Sequence, residues 1–198
     1  MKKTMQKKAF LILGWDGHPA EGWRPWLKRE LEKRGIDVVV PAMPHTHKPV
    51  FKEWIAHIKK VAAQADEHSY FVGHSLGCIT ILRFIESLHP GKKIGGAVLV
   101  AGFTSNLGFK QLESFYAKPI EWAKIRKNCK KFVAIHSDND PFVSLHYADF
   151  FRKELHAQIV VKHHMKHFSG GDGVMRLPAA LDAVREISSA QKGRRNSK

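Results

Sequence analysis

Two spacings of apolar positions alternate along this chain. Short runs that are β-branched or wholly apolar occupy residues 9–13, 36–41, 69–73, 95–102, 131–137 and 157–163, and these read as strands. Between them lie stretches with helical spacing. Residues 23–35 put Trp23, Leu27 and Leu31 on one face, with Pro25 in the first turn and Gly35 at the stop. Residues 50–65 carry a stripe of Phe51, Trp54, Ile55, Ile58 and Val61. Residues 75–89 are apolar on nearly every side, as a buried helix is, and 142–155 and 177–190 complete the helical set. Residues 104–128 read as a loop and one short helix around Trp122 and Ile125. The alternation predicts an α/β fold, a mostly parallel sheet with helices on both faces. Right-handed crossovers then bring every strand-to-helix turn to one edge of the sheet.

One of those turns has an unusual composition. Gly73-His74-Ser75-Leu76-Gly77 stands where an apolar strand meets an apolar helix and matches G-x-S-x-G, the nucleophile-elbow pattern. The glycines help neither the strand nor the helix. They are needed if strand and helix come nearly into contact, forcing the serine into a strained conformation above the sheet. Ser75 is therefore the candidate nucleophile. The N–H of Leu76, at the helix N-terminus, is the candidate oxyanion donor.

A serine needs a base and an orienting acid. In this fold class they follow in the order Ser, Asp or Glu, His. The turn after 131–137 offers Asp138 and Asp140. Spacing favours Asp140, directly before Pro141 in the "DPFV" that should open the next helix, although either residue could be a helix cap. The last strand leads into "VVKHHMKHFSGGDG". His163 and His164 read as its final residues, and His167, in the loop, is the candidate base. The i,i+3 and i,i+4 spacings of this cluster converge on a metal only in a helix, and the glycines at 170, 171 and 173 argue against one. His45 and His47 read as surface residues of another loop on the same edge. Cys78, one turn into the helix, reads as a buried packing residue, and Cys129 has no partner in sequence.

Composition narrows the setting. The 198 residues, 43% hydrophobic, suit a single domain. No apolar run is long enough to span a bilayer, and 9–13 is too short for a signal-peptide core. Two cysteines make no disulfide framework, which points to a cytoplasmic setting. The net charge is +15, but residues 1–8 and 191–198 each carry four Lys or Arg and no acid, leaving about +7 on the body. Those ends read as flexible basic tails. The body's basic residues interleave with acids, as in "LKRELEKR", which is not the one-faced pattern of a nucleic-acid binder. There is no G-x-G-x-x-G and no P-loop.

Four stretches together resemble a known family, the small serine hydrolases related to retinoblastoma-binding protein 9 and the bacterial YdeN-type proteins. They are "PAMPHTHKPVFKEWI", "VGHSLGCITILRF", "VLVAGFTSNLG" and "FYAKPIEWAKIRKNC". The resemblance implies a minimal α/β-hydrolase fold with little or no lid. It puts the nucleophile on Ser75, the acid on Asp140 rather than Asp138, and the base on His167. The second oxyanion donor falls on the N–H of Trp15. It further implies cleavage of a small-molecule carboxyl ester or amide through an acyl-enzyme, with no cofactor and no metal. Phe103, Phe109, Phe115 and Tyr116 should shape a pocket wall. Two positions depart from the family pattern: Leu13 stands where such hydrolases often have His, and Lys166 where they often have Gly. The L-x-C-x-E motif that recognises the retinoblastoma pocket is absent. The alternative reading is a binding module on a hydrolase fold.

Overall fold

The computed structural model describes residues 6–189. Six strands, β1 (Lys7–Ile12), β2 (Ile36–Val39), β3 (Ser69–His74), β4 (Gly96–Val100), β5 (Phe132–Ser137) and β6 (Gln158–Lys162), form one sheet in the order β2-β1-β3-β4-β5-β6. Every neighbouring pair is parallel. Strands β3, β4 and β5 are buried from end to end, so they show apolar runs rather than alternation. Helices α1 (Arg24–Glu32) and α7 (Pro178–Ser188) cover one face. Helices α2 (Phe51–Val61), α3 (Leu76–Glu86), α5 (Trp122–Asn128) and α6 (His146–Leu155) cover the other. This is the minimal α/β-hydrolase architecture, and among the described residues no separate lid stands over the strand C-termini.

Helix α3 is buried along ten consecutive residues because α2, α5 and the sheet enclose it. That enclosure includes Arg83. Its Nε donates to the Phe115 carbonyl at 3.1 Å, its Nη1 to the Pro119 carbonyl at 3.0 Å and to Glu86 at 2.9 Å, and its Nη2 to the Lys118 carbonyl. A buried guanidinium must be fully hydrogen-bonded, and here it ties the 104–128 insert to the core. The insert holds a 3-10 turn (Lys110–Leu112) and a short helix α4 (Glu113–Tyr116), neither of which the sequence spacing predicts.

Two boundaries differ from expectation. β1 begins at Lys7, where Lys7 and Lys8 pair with Ile36 and Asp37, so the strand reaches into the stretch read as a tail. The rest of the two tails, residues 1–5 and 191–198, lies outside the described residues. Helix α6 starts at His146 rather than at 142. Asp140 Oδ1 accepts the N–H groups of Phe142 and Val143, at 2.9 and 3.0 Å, and this Asx-type turn postpones the helix.

Candidate active site

The crowding expected at Gly73-His74-Ser75-Leu76-Gly77 is present. A Cβ on Gly77 would lie 2.5 and 2.6 Å from the carbonyl oxygens of Ile12 and Leu13. One on Gly73 would lie 2.8 Å from the Cys78 nitrogen. With both glycines in place the chain turns sharply, and Ser75 takes φ +53° and ψ −122°. A side-chain-bearing residue in such a region stores of order 1–3 kcal/mol. The neighbours hold it there: Ser75 N–H donates to the Val100 carbonyl at 2.9 Å, and its own carbonyl accepts from Cys78 N–H at 2.9 Å. The side chain projects from the C-terminal edge of the sheet.

Three elements converge on that serine. His167 follows β6, and its Nε2 lies 2.9 Å from Ser75 Oγ. Asp140 follows β5, and its Oδ2 lies 2.8 Å from His167 Nδ1. The Asp140 side chain is 1% exposed, yet its carboxylate meets three N–H donors: the His167 ring and the backbone of Phe142 and Val143. Asp140 is therefore both a turn-forming residue and the partner of the imidazole.

Asp138 is elsewhere. Its carboxylate accepts the His164 N–H at 2.9 Å and meets His163 Nδ1 at 2.6 Å, and these two contacts hold its carboxyl below the usual range. His163 and His164 lie exposed just past β6 rather than within it. His45 and His47 are exposed loop residues. Among the described residues, no three His, Cys, Asp or Glu side chains are grouped to hold a metal ion. Cys78 and Cys129 are both free and buried, and burial pushes both thiols far up from their usual pKa. Neither is poised for nucleophilic work.

Above Ser75 opens a cavity of about 330 Å³, lined by Trp15, Asp16, Leu76, Phe103, Leu107, Phe109, Leu112 and Phe142 with Ser75 and His167. Trp15 and Leu76 thus flank the serine, and among the described residues neither backbone N–H has a hydrogen-bond partner. Gly14 lets the Trp15 loop approach, since a Cβ there would meet Ser75 Cβ at 3.1 Å. The pocket wall differs in part from expectation. Phe103 and Phe109 line it, whereas Phe115 packs edge-on against Phe51 and Trp54 in the core. Tyr116 acts from behind, its hydroxyl donating to the Phe103 carbonyl at 3.3 Å. Phe142, expected inside a helix, instead meets the His167 ring edge-on at 5.2 Å.

The loop carrying His167 is held by residues that sequence reasoning passes over. The buried His74 donates from Nε2 to the His167 carbonyl at 2.7 Å. Burial, and then the neighbouring His167, hold its pKa down at about 3, so it stays neutral. Trp23 Nε1 donates to the Phe168 carbonyl at 3.0 Å. Asp172 accepts the N–H groups of His167 and Ser169 at 3.2 and 3.1 Å, and the Ser169 hydroxyl at 2.7 Å. Burial pushes the Asp172 carboxyl up, but those hydrogen bonds outweigh it and the net shift is downward. Lys166 has φ +45°, a left-handed conformation in which glycine is unstrained. That is the physical reason glycine suits the position. The signal that marks Asp172 in sequence is Ser169-x-x-Asp172, a self-capping turn pattern.

Comparison with known proteins follows the same lines. A family model described as Serine hydrolase matches residues 9–186. The protein YdeN of Bacillus subtilis (strain 168) is 30% identical over 188 residues, 94% of this chain and 99% of YdeN. The crystal structure of YdeN superimposes with a TM-score of 0.89, at 29% identity, over 93% of this chain and all of that one. The serine hydrolase RBBP9 of Rattus norvegicus is 27% identical over 141 residues, 69% of this chain and 73% of RBBP9. Est1E from Butyrivibrio proteoclasticus shares the fold, with a TM-score of 0.72 at 17% identity over 94% of this chain and 89% of that one.

Proposed function

The chain belongs to the serine hydrolase family, and from that premise we propose that it cleaves a small carboxyl ester or amide through an acyl-enzyme on Ser75. The observation that carries this reading is the continuous hydrogen-bonded line from Ser75 Oγ through His167 to Asp140, at 2.9 and 2.8 Å, with Ser75 held at positive φ.

His167 Nε2 takes the proton from Ser75 Oγ as the Oγ–C bond forms to the substrate carbonyl. The carbonyl oxygen becomes an oxyanion facing the Leu76 and Trp15 N–H groups. Such donors cost no reorganisation at the moment of reaction, and one alone contributes about 3–4 kcal/mol of transition-state stabilisation in enzymes of this kind. Collapse breaks the bond to the leaving alcohol or amine, which receives the proton from His167. Water then attacks the acyl-enzyme, giving its proton to Nε2. The acid is released as Ser75 recovers its hydrogen. Asp140 fixes the imidazole tautomer and stabilises the imidazolium that forms twice per cycle. The cycle closes with substrate and water alone.

We assign the activity to one domain and place it in the cytoplasm, a setting suited to two free thiols. Among the described residues no helix is long and apolar enough to cross a membrane. The test is hydrolysis of p-nitrophenyl acetate by wild type and Ser75→Ala, with circular dichroism to check folding. A folded variant without turnover is expected. Equal turnover in the folded variant overturns the reading.

A further inference from the structure

The cavity beside Ser75 is asymmetric in chemistry. If the cycle above holds, on which this inference rests, His167 must protonate the leaving group. The leaving group therefore lies on the His167 side, beside Phe142. The acyl group then lies on the other side, among Phe103, Leu107, Phe109, Leu112 and Trp15. Phe103 and Leu112 are buried and form the floor of that side. Phe109 is 41% exposed at the mouth and meets Trp15 edge-on at 5.6 Å, joining two loops across the opening. The apolar surface of this side gains by being covered with an apolar ligand.

The wall is braced rather than loose. Tyr116 holds the Phe103 carbonyl, and the Ser105 and Tyr147 hydroxyls meet at 2.6 Å, so the 103–109 segment is tied to both α4 and α6. A pre-formed pocket discriminates by size, because misfit is not absorbed by movement. Its charge is equally one-sided. The chain has 33 Lys and Arg, yet the cavity lining includes no Lys or Arg and one carboxylate, Asp16. Asp16 is exposed, its N–H is held by the Thr46 carbonyl at 3.0 Å, and its carboxylate bonds to no other described residue. It is the one carboxylate among the lining residues, so its charge faces whatever the cavity takes up.

We propose that the apolar side of this cavity is an acyl pocket for uncharged, apolar acyl groups of fewer than about ten heavy atoms, since the whole cavity, leaving-group side included, has the room of about ten waters, and that Asp16 makes it reject acyl groups ending in a carboxylate. Asp16 is thus a specificity-determining residue, not a participant in bond making.

The experiment is kcat/KM for p-nitrophenyl acetate, butyrate and hexanoate and for the ω-carboxy counterpart of the hexanoate. Each added methylene should raise kcat/KM about fourfold until the pocket is filled. The ω-carboxy ester should fall at least about tenfold below the hexanoate. Asp16→Asn should narrow that last gap about fivefold. Phe109→Ala, at a position exposed enough to spare the fold, should lower the hexanoate-to-acetate ratio. A profile that is flat or best for acetate overturns the apolar pocket. A carboxy ester turned over as well as the hexanoate, or a gap untouched by Asp16→Asn, overturns the role of Asp16. Failure to hydrolyse any ester would overturn the catalytic reading instead. Saturation-transfer NMR with Ser75→Ala then decides the pocket alone, through binding of the hexanoate against the carboxy ester.

Discussion

Replacing His74 by Gln separates two roles that one imidazole plays. His74 is 7% exposed, and burial with the adjacent His167 holds its pKa at about 3. The unfolded chain has a histidine near 6.5. Between those values the unfolded state binds a proton that the folded state refuses, so stability rises with pH across the window and is lost on acidification from about 6.5 toward 3. The loss approaches 1.36 kcal/mol per pH unit. Integrated from pH 6 to pH 4.5, His74 alone removes about 2 kcal/mol. The carboxylates of Asp172 and Asp138 act lower, because their folded pKa values are depressed and their contribution is lost only below about pH 4. His74→Gln removes the titration and keeps an amide N–H near the place of Nε2, able to donate to the His167 carbonyl. Urea unfolding followed by tryptophan fluorescence at pH 7, 6, 5 and 4.5 reads the effect. The variant should lose about 2 kcal/mol less than wild type between pH 6 and 4.5, and turnover at pH 7 should stay within severalfold. His74→Ala, which lacks the donor, should lower turnover further. A variant with the acid sensitivity of wild type refutes the claim that His74 is held neutral by burial.

Substitutions elsewhere have equally definite expected outcomes. Asp140→Asn should lower kcat by about 10⁴, as for a triad acid replaced by its amide, with folding retained because the amide oxygen still serves the Phe142–Val143 turn. Asp138→Asn should stay within about threefold of wild type, since an exposed pairing with His163 touches no chemistry; steady-state kinetics of the pair would reverse the assignment if Asp138→Asn proved the more damaging. Gly77→Ala should cost about 3 kcal/mol in denaturant melts, because its Cβ meets two backbone carbonyls that cannot move aside; a neutral result contradicts the crowding. Lys166→Gly should stabilise by up to about 1 kcal/mol, as relief of left-handed strain exceeds the added chain entropy, and a lowered melting temperature would argue the reverse. His136, buried on β5 with Nε2 unpartnered and a pKa lowered by burial to about 4, should tolerate replacement by Phe with equal or higher stability at pH 5.

Much of the sheet could be read from the chain because its central strands are buried on both faces and show as apolar runs. The elbow could be read because Gly73 and Gly77 are needed only where β3 and α3 nearly touch β1 and one another. Ser75, Asp140 and His167 follow β3, β5 and β6, and the structure brings all three within hydrogen-bond distance. What escaped was held from a distance. Helix α4 depends on Arg83, some thirty residues earlier, whose guanidinium collects the carbonyls of 115, 118 and 119. The start of α6 moved because the Asp140 carboxylate satisfies two N–H groups that a helix would otherwise have used. His74 fills the variable position of the elbow motif, and nothing local marks it as a brace for a loop over ninety residues away. Lys166 and Phe168 take positive φ without glycine, which residue type alone does not announce.

Covalent labelling reads out whether His167 makes Ser75 nucleophilic. A fluorophosphonate should modify wild type at a single site, and peptide mapping by mass spectrometry should place the adduct on Ser75. Ser75→Ala should take up none, and His167→Ala should label at least about a hundredfold more slowly, as expected when a positioned base is lost. Adduct on another residue, or labelling of His167→Ala at the wild-type rate, contradicts the account.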